Sequence, residues 1–99
     1  MVALLNSDDI EAGLAKLNGW TGDTSEIRRS YSAHDFPAAI QLVGAVAVVA
    51  EEMNHHPDMD IRWKTVHFTI STHSEGGVTD LDLELAHRID DAAENIGAA

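Results

Sequence analysis

Apolar side chains at Ile10, Leu14 and Leu17 recur at the spacing of one helix face. Ser7 offers an N-cap hydroxyl ahead of them, Asp8 and Asp9 put acids in the first turn, and Asn18-Gly19 supplies a stop. Trp20 and Thr21 then start a short strand that ends in the turn-prone Gly22–Ser25. From Ile27 the period changes to two: Ile27, Arg29, Tyr31 and Ala33 share one face, and Arg28, Ser30 and Ser32 the other. Asp35 caps a second helix that tolerates Pro37 in its first turn and runs to about Met53. Its apolar residues form two neighbouring stripes. Phe36, Ile40, Val43, Ala47 and Ala50 are expected to face the sheet. Leu42, Val46, Val49 and Met53 lie beside them and are expected to meet a second subunit, since the joint arc is wider than one packing surface needs.

Alternation returns after His55-His56-Pro57. Met59, Ile61 and Trp63 make one strand face, and Val66, Phe68 and Ile70 alternate with Thr65, His67, Thr69 and Ser71, with a join near Lys64-Thr65. Gly76-Gly77 breaks the pattern, and Thr79 caps a third helix carrying Leu81, Leu85, Ile89, Ala92 and Ile96. The order α-β-β-α-β-β-α predicts an α+β fold. Residues 1–99 are expected to form a single domain: a four-stranded antiparallel sheet with three helices on one face.

Composition narrows the partners. The formal charge of −11, from 17 acidic and 6 basic residues among 99, opposes direct binding to nucleic acid or to an anionic membrane. No apolar run approaches a bilayer span; the longest, Val43–Ala50, is too short. There is no cysteine, hence no thiolate metal ligand or nucleophile. The N-terminal stretch from Met1 lacks a basic region followed by an apolar one, so a cytoplasmic location is expected. A domain this small gains stability by association, which favours a homodimer or homotetramer.

Six histidines are the main candidate chemistry. His55 and His56 follow the long helix, and Pro57 pushes His56 out of helical geometry, so the pair occupies a corner. His73 ends the last strand on the face opposite Val66, Phe68 and Ile70. The plainer account of each is an exposed imidazole. A metal site is disfavoured, because no HExxH, no i,i+4 histidine pair and no cysteine is present. Glu51 stands one helical turn before His55, within reach of its ring. Asp82 falls at the third position after the Thr79 cap, where a capping box would account for it.

Taken together, the segment from Glu51 to Asp82 resembles the signature of the pterin-4a-carbinolamine dehydratases: an acid, three residues, His-His-Pro, an aromatic, a distant histidine and an aspartate. Trp63 is seven residues after His56, His73 seventeen after it, and Asp82 nine after His73. Gly19-Trp20, the 36–52 helix and the Leu85–Asp90 segment extend the resemblance to nearly the whole chain. Met59 and Ala33 depart from it, standing where aromatics are usual.

The resemblance implies dehydration of a 4a-hydroxytetrahydropterin to a quinonoid dihydropterin by histidine acid–base catalysis, with neither metal nor organic cofactor. His55 and His73 would serve as acid and base, and His56 would hold substrate. Glu51 would orient His55, and Asp82 would cap its helix while positioning His73 or the pterin edge. Pro57 would shape the corner, and Trp63 would wall the pocket or, preferably, pack in the sheet. The alternative is a non-catalytic pterin-binding, dimerisation or assembly module of the same fold.

Overall fold

The structure, a computed structural model, describes residues 3–99; Met1 and Val2, the start of the N-terminal stretch, lie outside the described residues. The elements follow the order expected: α1 (Ser7–Ala15), β1 (Thr21–Gly22), β2 (Ile27–Ser32), α2 (Phe36–Met53), β3 (Asp58–Arg62), β4 (Thr65–Ile70) and α3 (Asp80–Ile96). A short 3₁₀ turn, His73–Glu75, joins β4 to α3. The strands form one antiparallel sheet in the order β1-β2-β4-β3.

The two-residue alternation decides which face is covered. Ile27 and Tyr31 of β2, with Val66, Phe68 and Ile70 of β4, are buried, while Arg28, Ser30 and Ser32 point to solvent. The helices therefore pack on that single buried face, where Leu42 and Val46 of α2 and Leu85, Ala86 and Ile89 of α3 complete the core. Tyr31 and Phe68 meet edge to face with centroids 5.8 Å apart. At the rim of this layer, Trp20 Nε1 (2.8 Å), Arg29 Nη1 (2.9 Å) and the Tyr31 hydroxyl all donate to Asp90 Oδ1, tying β2 to α3. Burial, reinforced by the bond to Asp90, pushes the Tyr31 phenol well above its ordinary range. Gly22 is required where it stands: at φ 151° a Cβ would lie 2.2 Å from the Glu26 carbonyl oxygen.

Four local expectations need correcting. The α1 cap is Asn6, whose Oδ1 accepts from the Asp9 amide at 2.8 Å, so Ser7 becomes the first helical residue. On α2 the buried side is mainly the second stripe, with Ala50 the buried member of the first. Leu42 and Val46 are fully buried, with Ala38, Ala39 and Ala50 beside them, whereas Phe36, Ile40 and Val48 are exposed. Small alanines let the helix settle close to the sheet on the side that carries Leu42 and Val46, which leaves the bulky Phe36 and Ile40 outside. By length and mean hydropathy (1.5 over 18 residues) α2 could also cross a membrane, but its inner face is spent on β4 and α3. His73 does not end a strand: β4 stops at Ile70, and Thr72 pairs with Gly77 across the 3₁₀ turn. Trp63 is neither packed in the sheet nor part of a strand face; it is 72% exposed, at φ 53° in the two-residue turn between β3 and β4.

Candidate functional site

The corner that carries His55 and His56 is made by the way α2 ends. Asn54 adopts the left-handed conformation (φ 50°, ψ 44°), which asparagine tolerates better than most residues. The Asn54 amide then donates to the Glu51 carbonyl at 3.2 Å and the His55 amide to the Ala50 carbonyl at 3.0 Å. This pair of bonds is a Schellman motif. It reverses the chain within one residue, so His55 turns inward (8% exposed) while His56 stays in solvent. Pro57, half-buried, leads directly into β3.

That reversal moves Glu51 to a different partner from the one its spacing suggested. The four-residue separation from His55 counts only inside a continuous helix, and the helix stops at Met53. Glu51 Oε2 lies 2.5 Å from His56 Nε2, and both side chains are exposed. His55 Nε2 instead lies 2.5 Å from Asp82 Oδ1. Asp82 was expected to cap α3 and to position His73 or the substrate; it does cap, and the histidine it contacts is His55.

Asp82 is fully buried, yet it is saturated with donors. Its Oδ2 accepts from the Thr79 amide (2.8 Å), closing the capping box, and from the Thr72 hydroxyl (2.8 Å). Thr72 Oγ1 is also 2.8 Å from Thr79 Oγ1. Because the Thr72 proton is committed to Asp82, the Thr79 hydroxyl donates to Thr72. A carboxylate surrounded by donors is an acceptor only, so the proton between His55 and Asp82 sits on Nε2. When neutral, His55 consequently carries its lone pair on Nδ1. No buried side-chain polar atom among the described residues lacks a partner.

His73 follows Thr72 directly. It is exposed, and its ring has no hydrogen bond to another side chain among the described residues. The succession His55–Asp82–Thr72–His73 thus links the buried imidazole to the exposed one through two short bonds and one peptide. Trp63 lies apart from this group: the five residues of β3 separate it from Pro57, roughly 20 Å of extended chain. The remaining histidines are also elsewhere. His67 Nδ1 meets Ser30 Oγ at 2.5 Å on the open sheet face, and His34 faces Asp35. Among the described residues no three His, Asp or Glu side chains converge as a metal-holding group.

Thr72 and Asn54 were not singled out from sequence. A threonine near the end of an alternating β pattern looks like an ordinary strand residue. An asparagine at a helix end signals a cap without showing where the next side chain will go.

The model of the pterin 4 alpha carbinolamine dehydratase family matches residues 3–92. The chain belongs to this family. A Nocardia farcinica relative, provisionally named as a pterin-4-alpha-carbinolamine dehydratase, is 52% identical over 90 residues, covering 91% of this chain and 95% of that one. A Roseiflexus castenholzii relative with the same provisional name is 48% identical over 92% of this chain and 98% of its own length. A crystal structure described as a transcriptional coactivator/pterin dehydratase from Brucella melitensis superposes with a TM-score of 0.89 at 32% identity, covering 92% and 99% of the two chains. A pterin dehydratase-like protein described as a RuBisCO assembly factor of the alpha-carboxysome shares the fold at a TM-score of 0.62 and 19% identity, over 75% and 86% of the chains. This pterin dehydratase fold therefore occurs under more than one functional description.

Proposed function

We propose that this chain is a working carbinolamine dehydratase that recycles a pterin cofactor by histidine acid–base chemistry. The observation that carries the reading is the buried Asp82–His55 pair, which commits His55 Nε2 and leaves Nδ1 as the free basic atom. In the reaction the C4a–O bond of a 4a-hydroxytetrahydropterin breaks, and N5 loses its proton. The nitrogen electron pair forms the new C=N bond, and the hydroxide leaves as water. His55 Nδ1 takes the N5 proton, and His73 delivers a proton to the departing oxygen. An imidazole can both take up and give up a proton near neutrality, which suits it to either task. Each contributes about 10²–10⁴ in rate. His56, held by Glu51, binds the pterin at the rim, and Pro57 keeps it there. No metal or organic cofactor is needed, because N5 itself supplies the electrons.

The working unit we propose is a homodimer or homotetramer in the cytoplasm. Its contact would be the outer face of α2, where Phe36, Ile40 and Val48 are exposed around Gly44, in front of which the space is open. His55→Ala and His73→Ala should each lower turnover by about 10²–10⁴ in a folded protein, the first with some loss of stability because it leaves the buried Asp82 Oδ1 without its donor, and the double variant should lose far less than the product of the two. Wild-type turnover in both single variants would overturn the assignment. A folded wild type with no dehydratase activity would favour a binding or assembly module instead.

A further inference from the structure

We infer that Thr72 is the positioning residue that couples His55 to the turn carrying His73. The inference rests on the dehydratase reading of the histidine site. Thr72 is 4% exposed and acts through both its side chain and its backbone. Its hydroxyl donates to Asp82 Oδ2 at 2.8 Å and accepts from the Thr79 hydroxyl. Its amide donates to the Gly77 carbonyl (2.8 Å), and its own carbonyl accepts from the amides of Glu75 and Gly76, both at 3.0 Å. The one residue therefore closes the turn that displays His73 and steadies the carboxylate that holds His55.

The geometry gives the hydroxyl a specific task. The terminal torsion of an aspartate is soft, so a carboxylate keeps its plane only when both oxygens are held. Oδ1 is held by His55 itself, and Oδ2 by the Thr79 amide and the Thr72 hydroxyl. The Thr79 amide belongs to the helix cap, which every residue able to close a capping box would satisfy. The Thr72 hydroxyl is the contact that relates the carboxylate to the His73 turn. The sequence Thr79 O–H to Thr72 O–H to Asp82 also aligns successive donors, and such chains polarise one another. Loss of the hydroxyl leaves the Thr79 amide alone to hold Oδ2, so the carboxylate plane, and with it the direction of His55 Nδ1, is less firmly fixed.

Thr72→Val keeps the branched shape and removes the hydroxyl. We expect its kcat to fall about tenfold to a hundredfold, the effect of one lost charge-assisted hydrogen bond, with KM little changed. Thr72→Ser should restore the rate. The His55 Nε2 proton, seen by nitrogen-edited NMR without substrate, should exchange rapidly in Thr72→Val and persist in Thr72→Ser. A valine variant that keeps both the resonance and the wild-type kcat would overturn the inference. Should Thr72→Val fail to fold, Thr72→Cys replaces the hydroxyl by a weak donor. An intermediate kcat then supports the role, and a wild-type kcat refutes it. An inactive wild type would overturn the dehydratase reading, while the NMR comparison would still decide whether Thr72 holds the Asp82–His55 pair.

Discussion

Replacing Asp82 by asparagine keeps the shape of the side chain and removes its charge, and the surrounding hydrogen bonds dictate how the site responds. The asparagine carbonyl can occupy the Oδ2 position and accept from the Thr79 amide and the Thr72 hydroxyl, so the α3 cap survives. Its NH₂ group then faces His55 Nε2, where the wild type has an acceptor. Two donors cannot face each other at 2.5 Å, so His55 must move its proton to Nδ1 and accept through Nε2. The free nitrogen of His55 is now a donor, and the general base is lost. Two bonds to a charged acceptor become bonds to a neutral one, a weakening of about 1 kcal/mol each, so stability should fall by about 2 kcal/mol. Turnover should fall by about 10²–10⁴, or about 3–5 kcal/mol of barrier. Urea denaturation measures the first quantity, stopped-flow dehydration of a freshly generated carbinolamine the second, and ring nitrogen chemical shifts the tautomer of His55. A folded Asp82→Asn protein with wild-type turnover would show that the Asp82 charge does not serve His55. A slow variant whose His55 keeps its proton on Nε2 would refute the tautomer exchange.

Exhaustive chelation should leave dehydration unchanged, and a stoichiometric metal whose removal abolishes turnover would contradict the histidine mechanism. Ile40→Glu with Val48→Glu should give folded monomers by light scattering, because charges buried at a subunit contact cost several kcal/mol. Val46→Glu should instead unfold the subunit, since Val46 is fully buried on the inner face of α2. Tyr31 is the only tyrosine, so phenolate absorbance reports it alone. Its raised ionisation means that the folded protein holds the phenol proton where the unfolded chain releases it, near pH 10.0. Stability should therefore be unaffected below that pH and fall as pH rises beyond it, with phenolate appearing only together with unfolding. Phenolate formation in a still-folded protein at about pH 10 would contradict this.

The element order was legible in the sequence because each period is produced by a surface that the folded chain buries. Ile27, Tyr31, Val66, Phe68 and Ile70 alternate because only one sheet face is covered, and Thr79 with Asp82 announces a helix start by local bonding alone. The α2 stripes were ambiguous for a physical reason. Both are apolar, and the choice between them depends on how closely Ala38, Ala39 and Ala50 let the backbone approach the sheet. That Glu51, His55, His56 and Asp82 lie close together was legible too, since all four meet at one corner and its supporting helix start. Their pairing was not. Spacing along a helix assigns Glu51 to His55, but one left-handed residue, Asn54, sends His55 inward to Asp82 and returns His56 to Glu51. Trp63 shows the opposite limit: a large aromatic in a β-rich segment suggests packing, yet a two-residue turn displays it in water.

In the proposed reaction the protein removes water from a 4a-hydroxytetrahydropterin with His55 as base. The most direct measurement generates that carbinolamine in solution and follows its decay by stopped-flow absorbance, with metal-free wild-type protein and with His55→Ala. Decay should accelerate in proportion to wild-type concentration and be slowed towards the uncatalysed rate, by about 10²–10⁴, in the variant. Decay at the uncatalysed rate with folded wild-type protein, or equal acceleration by His55→Ala, would contradict the account.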